Sequence, residues 1–379
     1  MRLPMHCCEK IIAPVGKCDL SVTIYRKCLW TLAVLLAAPV GADSPRFEWT
    51  GFFARKLSAY SLFEDPVRQV PQEGMVAYDI INPLFSDYAH KHRFILLPDG
   101  GSMAYDESDV FALPVGSVLV KTFSYPADFR NPNDNVRLIE TRLLVHTSDR
   151  GWMGAAYLWN EEQTDAELSI AGNRLPMEWI HFDGSKRSSQ YTVPNMNQCK
   201  FCHAGYGKLQ PLSLTARQLN HDFPADDDSM ENLLAGWSNQ GILTGAPTPT
   251  DIPRAADWDD PASGSLFDRV RGYFDTNCTH CHNPQGLASS KRIDLRYEQM
   301  EPWSRGIELR STGGHHTASG LQKVIVPGHP ERSAVYLRMK SQNFTFMMPQ
   351  LGRSVVHEEG IKLVADWIRS LQAPGASSE

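Results

Sequence analysis

Val118-Leu119-Val120-Lys121-Thr122-Phe123-Ser124-Tyr125, closed by Pro126, and Leu138-Ile139-Glu140-Thr141-Arg142-Leu143-Leu144-Val145 decide the fold of the first part of this chain. The first run is rich in β-branched and aromatic residues and stops at a proline, which cannot donate to a ladder. In the second, Ile139, Thr141, Leu143 and Val145 share one strand face, and Glu140 and Arg142 point the other way as a sheet-surface ion pair. The turn residues Asn131-Pro132-Asn133-Asp134-Asn135 lie between the runs, and Ser148-Asp149-Arg150-Gly151 leads into a third, Trp152–Trp159. Three such strands predict an antiparallel sheet, a sandwich or partial barrel, within residues 43–194.

Two strings downstream carry chemistry: Cys199-Lys200-Phe201-Cys202-His203 and Cys278-Thr279-His280-Cys281-His282. Each is C-x-x-C-H, the attachment pattern of a c-type haem. Two thiols three positions apart add to the two vinyl groups on one haem edge, and the adjacent histidine reaches the iron as proximal ligand. The chain has eight cysteines, and the other four (Cys7, Cys8, Cys18 and Cys28) lie in an N-terminal leader. Four cysteines in an exported chain would ordinarily suggest two disulfides. A histidine after each pair argues instead for haem, and against a Cys₄ zinc site or a redox dithiol, neither of which needs it.

The leader reads as a secretory signal peptide over residues 1–42. Arg26 and Lys27 precede an apolar core, Leu29 to Ala38, and the small residues Val40-Gly41-Ala42 follow, so cleavage is expected after Ala42. That core is too short to span a bilayer, and no later stretch is apolar enough to be a transmembrane span. The whole chain of 379 residues carries a net charge of −6 and is 42% hydrophobic, ordinary for a globular protein. The leader holds five basic and two acidic residues, so the remaining 337 residues carry −9. That balance disfavours nucleic acid and anionic membranes as partners. It suits a periplasmic or otherwise exported protein whose redox partner offers a basic docking surface.

The fold class expected is multidomain α+β: an N-terminal antiparallel, β-rich, sandwich-like domain (43–194), then α-helical cytochrome c-type haem regions at 195–256 and 263–374. Asn195 or Asn197 caps a short helix at the first motif, and Leu214–Asn220 and Met230–Trp237 read as helices. Asp226-Asp227-Asp228 reads as a solvated loop without calcium-ligand spacing, and Pro247, Pro249, Pro253 and Pro261 mark a linker. A helix from Ser265 presents Phe267, Val270 and Phe274 on one face and leads into Cys278. Glu358 and Glu359 open a final helix with Ile361, Val364, Ile368 and Leu371 at helical spacing, ended by Pro374.

Between those helices, Met347-Met348-Pro349-Gln350-Leu351-Gly352 supplies a thioether to complete a His/Met iron site opposite His282, with Met348 favoured over Met347. The first haem has no such segment. Its sixth ligand is Met230, Met196, His221, a residue of the β-region, or none. His90 and His92, beside Asp87, could share a strand face and bind a metal, but read better as hydrogen-bonded or surface histidines.

The chain resembles a family of exported dihaem c-type cytochromes of uncharacterised function. The resemblance is carried by Asn82-Pro83-Leu84-Phe85-Ser86-Asp87-Tyr88, Pro114-Val115-Gly116-Ser117, Ile139–Leu144, Val193–Cys199, Asn277–Pro284, Pro327–Ser333 and Met348–Gly352. It implies two covalent haems and export from a bacterial cell, and no known substrate. The reading that follows is electron transfer through two covalently bound haems. Cys199, Cys202, Cys278 and Cys281 are the tethers, His203 and His282 the proximal ligands, and Met348 the distal ligand on the second iron. The alternative is a dihaem peroxidase-like enzyme with an open first haem, which would need acid–base groups near Cys199; no catalytic residue is assigned. The chain has no phosphate-binding glycine loop, no H-E-x-x-H and no G-x-S-x-G.

Overall fold

A computed structural model describes residues 47–205, 208–225, 229–302, 304–310 and 323–372. The leader, Asp226–Asp228 and Pro374 lie outside them. Six strands form one antiparallel meander: β1 (Met75–Tyr78), β2 (His90–Leu96), β3 (Val118–Tyr125), β4 (Arg137–Thr147), β5 (Gly151–Trp159) and β6 (Ala166–Leu168), paired in that order. A separate hairpin follows, β7 (Asn173–Ile180) with β8 (Lys186–Val193). The β-rich N-terminal part thus holds, with many antiparallel pairings and few helices.

One strand breaks the simple alternation. Phe123 faces Glu140 while Ser124 faces Leu138, so β4 carries one extra residue, Ile139, at a bulge. The bulge re-aims Ile139. Leu138, Leu143 and Val145 pack with Phe94, Val120 and Tyr157 on one sheet face, whereas Ile139 packs with Phe123, Trp179 and Tyr191 of the opposite cluster. Ile139 therefore does not share a face with Thr141, Leu143 and Val145, because alternation resets at an inserted residue.

The opposite face is covered in two pieces. At one end the β7–β8 hairpin lays Met177, Trp179, Tyr191 and Val193 over Phe123 and Ala156. At the other, Ile95, Leu119 and Leu144 pack against Leu214, Leu219, Leu233, Leu234 and Trp237. Full burial of side chains of this size stabilises by about 1.5–3 kcal/mol each.

Among the described residues the remaining chain forms the helices α1 (Cys199–His203), α2 (Ala216–Leu219), α3 (Leu233–Asn239), α4 (Leu266–Asn277), α5 (Ala334–Lys340) and α6 (Glu358–Ser370). The expected helix over Met230–Trp237 begins later. Met230–Asn232 pairs as a strand with Asp222–Pro224, and the Asn232 side chain then accepts from the Leu234 and Ala235 amides and caps α3. Ser265 caps α4 by accepting from Asp268 N. Val270 and Phe274 of α4 meet Ile361, Val364 and Ile368 of α6 in one cluster, with Phe267 and Leu371 packed against it, as the two apolar stripes require. Among the described residues no helix is long and apolar enough to cross a membrane.

The described residues form one compact unit, and the loop after β1 binds its parts together. The Asn82 side chain donates to Gln218 Oε1 (3.3 Å) and Ala256 O (3.1 Å) and accepts from Trp258 N (2.9 Å). Phe85 N donates to Asn277 Oδ1 at 2.8 Å. Buried Asp87 accepts from Ser354 N (2.6 Å), Ser354 Oγ (2.8 Å) and Val355 N (3.0 Å). Burial pushes its carboxyl up, against the pull of those donors. In α2, Arg217 holds Asp275 of α4 through two bonds of 3.0 and 2.8 Å.

Candidate functional site

The first motif forms α1. Immediately before it, Asn195 and Gln198 exchange hydrogen bonds: Gln198 N donates to Asn195 Oδ1 and Asn195 N to Gln198 Oε1, both at 2.9 Å. This reciprocal pair orders the turn that leads into the helix. The one-turn helix turns both thiols and His203 to one region of space. His203 Nδ1 lies 2.8 Å from the Gln210 carbonyl oxygen. A carbonyl only accepts, so Nδ1 carries the proton and Nε2 keeps its lone pair.

That helix sits on the sheet. A Cβ built on Gly154 of β5 would stand 3.8 Å from the Cys199 Cβ. The motif lies over the gap between the two apolar clusters, and a polar band fills that gap. Arg93, Lys121 and Arg142 form one cross-strand row, and Lys91 and Glu140 lie one row along. Like charges directly opposite one another are destabilising, by up to about 3 kcal/mol per adjacent pair at strand spacing in a half-wet environment. Two acids offset part of this. Asp79 meets Arg93 at 2.5 Å. Glu140, 0% exposed, accepts from Arg142 Nε (2.9 Å), Arg142 Nη2 (2.5 Å) and Tyr191 Oη (2.6 Å). The Glu140–Arg142 pair is therefore formed but not on the surface: it lies beneath the first motif, because the hairpin and α1 cover that face.

The second motif begins at the C-terminal cap of α4. The Cys278 amide donates to Phe274 O and the His282 amide to Cys278 O, both at 2.9 Å. Thr279 Oγ1 ties the turn to Leu295 O at 2.6 Å, and Leu295 N returns to His282 O at 2.9 Å. Gly286 lets the following loop close over the turn, since any Cβ there would collide with the Cys281 carbonyl oxygen. The His282 Nδ1 is buried without a hydrogen-bond partner among the described residues.

Eighty residues apart in sequence, the two motifs touch. Cys281 Sγ lies 3.6 Å from the Phe201 carbonyl oxygen. The charge of one motif is felt in the other. Removal from water pulls His203 down to about 3, helped by Lys121 and Arg142 and by His280 of the second motif. His280 and His282 fall to about 4, also chiefly by burial. All three imidazoles are thus neutral, the ligating form. Burial pushes the Cys278 and Cys281 thiols up to about 12, and raises Cys199 and Cys202 against the lowering pull of Arg142.

Met348 lies on a loop pinned by one buried cation. Met348 N donates to Arg338 O at 3.0 Å, and the Arg338 charge reaches His282. Arg353, 6% exposed, donates to the Met348 carbonyl through Nε (3.1 Å) and Nη2 (2.8 Å), to Met339 O (3.0 Å), to Ser341 O (2.9 Å) and to Val355 O (3.1 Å). Met347 is buried and Met348 partly so.

The other sequence candidates fall elsewhere. His221 Nδ1 and Nε2 sit against the carbonyls of Asp222 (2.9 Å) and Asp79 (3.1 Å), and Met230 is exposed. His92 Nε2 is 3.2 Å from Ser124 Oγ, and His90 packs edge-on against Phe129. Among the described residues no three His, Cys, Asp or Glu side chains converge on a metal-sized point. The four thiols therefore do not form the closed cage a structural zinc requires. A haem iron takes only one or two protein ligands, so that geometry leaves haem untouched. The residues present fit a covalently attached haem at each motif: paired thiols, a neutral histidine beside the second, and at His203 an Nδ1–H bond that leaves Nε2 for iron. Sequence reasoning missed the Arg93–Lys121–Arg142 row; three basic residues at matching strand positions were its only signal. No family model, no curated relative and no solved structure matches this chain.

Proposed function

We propose that the protein is an exported dihaem c-type cytochrome that transfers electrons, one haem held by Cys199, Cys202 and His203 and the other by Cys278, Cys281 and His282. A covalently bound haem supplies an iron that cycles between ferrous and ferric states. The observation that carries this reading is the contact between the motifs, Cys281 Sγ to Phe201 O at 3.6 Å. Two redox groups held this close exchange electrons with each other before either meets a partner.

The chain's own residues do the rest. Cys199 and Cys202, and Cys278 and Cys281, would hold the haems as thioethers, each thiol proton going to the neighbouring vinyl carbon. Gln210 O fixes the His203 tautomer. Arg353 fixes the loop that carries Met348, whose sulfur would complete the second iron site, and α4 and α6 would wall that haem. The net charge of −9 left after the leader favours a redox partner with a basic surface.

The test is the purified exported protein. Two covalent haems by intact mass, both low-spin and inert to cyanide and carbon monoxide in electron paramagnetic resonance, are expected of a carrier. Absence of covalent haem would sink the reading.

A second reading, a peroxidase-like enzyme with an open first iron, is favoured by one feature. The sheet brings Glu140, Arg142 and Lys121 to the first motif, supplying the acid–base and cationic groups that its sequence neighbours lack. A high-spin iron at His203 that binds cyanide, with peroxide turnover in the half-reduced protein, is what this reading requires.

A further inference from the structure

The basic residues on the sheet outnumber the acids that answer them, and burial together with the neighbouring guanidinium groups pulls Lys121 down to about 7 and Lys91 well below its usual range in the apoprotein. Arg93, Lys121 and Arg142 stand side by side through the pairings Arg93↔Lys121 and Lys121↔Arg142, and Lys91 lies one row along opposite Phe123. Asp79 answers Arg93 and Glu140 answers Arg142, each at 2.5 Å. Lys91 Nζ donates to the Ala89 carbonyl at 2.9 Å. Lys121, at the centre, makes no hydrogen bond or ion pair among the described residues; its ammonium only overlooks the Phe123 ring, 5.6 Å from the centroid. Apolar clusters flank the row on both sides, which strengthens any charge interaction inside it.

We propose that this row is a carboxylate-binding site, with Lys121 as its open donor, and that its occupant is the propionate edge of the haem tethered at Cys199 and Cys202. The proposal rests on the dihaem reading above. Thioether bonds hold the vinyl edge of a porphyrin, and its two carboxylates leave from the opposite edge. Cys199 stands over Gly154 on β5. The row starts one strand away at Arg142 and ends three strands away at Arg93, at about 5 Å per strand. That distance is the scale of a porphyrin between those edges. The two guanidinium groups are already held by their own acids, so the central ammonium is the group left to form charge-assisted bonds.

The test compares Lys121→Gln and Lys121→Arg in the haem-loaded protein, with Lys91→Gln as a second charge deletion. Removing one charge from a like-charged row relieves repulsion, so the apoprotein fold is retained. Lys121→Gln keeps both haems and lowers one reduction potential by a shift worth about tenfold in the one-electron equilibrium, about 59 mV. Its resonance Raman propionate-bending mode moves, Lys121→Arg restores both signals, and Lys91→Gln shifts the potential the same way by less. Two attached haems with potentials and propionate modes unchanged in both charge deletions would overturn the proposal and leave the dihaem reading intact. A wild-type protein without covalent haem would remove both. Added acetate serves as the probe for a free carboxylate: saturable, Lys121-dependent displacement of the potential with a fixed propionate mode would overturn the propionate as occupant.

Discussion

The Cys281 thiol lies 3.6 Å from the Phe201 carbonyl oxygen, joining two motifs eighty residues apart. On the dihaem reading proposed above, haems attached at these positions are expected to interact strongly. The visible circular dichroism of the loaded protein is expected to show a two-signed couplet. Cys278→Ala with Cys281→Ala should abolish that couplet and shift the potential of the remaining haem. A simple sum of two independent haem spectra in the wild type would count against the contact.

Arg353 serves carbonyls of Met339, Ser341, Met348 and Val355 from a buried position. Replacing it by Met strands those acceptors, and a cost of about 3 kcal/mol or more is expected in chemical denaturation. With Met348 as the proposed ligand of the second iron, the same change frees its loop, and the thioether–iron charge-transfer band of the oxidised protein is expected to weaken. Lysine cannot reproduce the forked donor set, and Arg353→Lys is expected to recover little of that band.

Gly286 is the closing point of the loop over Cys281. Gly286→Ala is expected to leave the first haem attached and to reduce occupancy at the second, read as a one-haem species by intact mass. Full double loading in that variant would show that the loop opens without harm.

Arg217 and Asp275 form a paired ion bridge between α2 and α4, almost wholly shielded from water. Asp275→Ala leaves the Arg217 guanidinium with the half-exposed Glu298 and the Ser108 carbonyl in place of its buried carboxylate, and a loss of about 3–5 kcal/mol is expected. Unfolding midpoints in urea, at unchanged slope, measure it.

His357 is packed by Phe85, Trp258 and Tyr273, and its Nδ1 meets Tyr273 Oη at 3.1 Å. Burial pulls it down to about 4, against the raising pull of Glu359 and with Lys91 and Arg353 adding to the fall. A histidine near 6.5 when unfolded and about 4 when folded binds its proton more readily unfolded. Its contribution is complete above pH 6.5 and is lost as pH falls from there towards 4, by about 3 kcal/mol at most. His357→Phe, which keeps the stack on Phe85, should flatten the loss of thermal stability between pH 7 and 4.5. An equally steep loss in the variant would place the acid sensitivity elsewhere.

What the sequence by itself determined is local. Strand composition and turn residues located β3 and β5, alternation located β4, Ser265 marked the start of α4, and the stripe Ile361, Val364, Ile368 marked the buried side of α6. The C-x-x-C-H spacing is a property of a single turn and was readable without a fold. The bulge at Ile139, the burial of Glu140, the capture of Asp87 by Ser354, and the meeting of Cys281 with Phe201 were decided by tertiary structure. Each depends on segments far apart in the chain packing against one sheet face. The cation row shows why most plainly. Arg93, Lys121 and Arg142 are unremarkable alone, and only strand register, set by the two apolar clusters that flank them, places their charges side by side beneath the first motif.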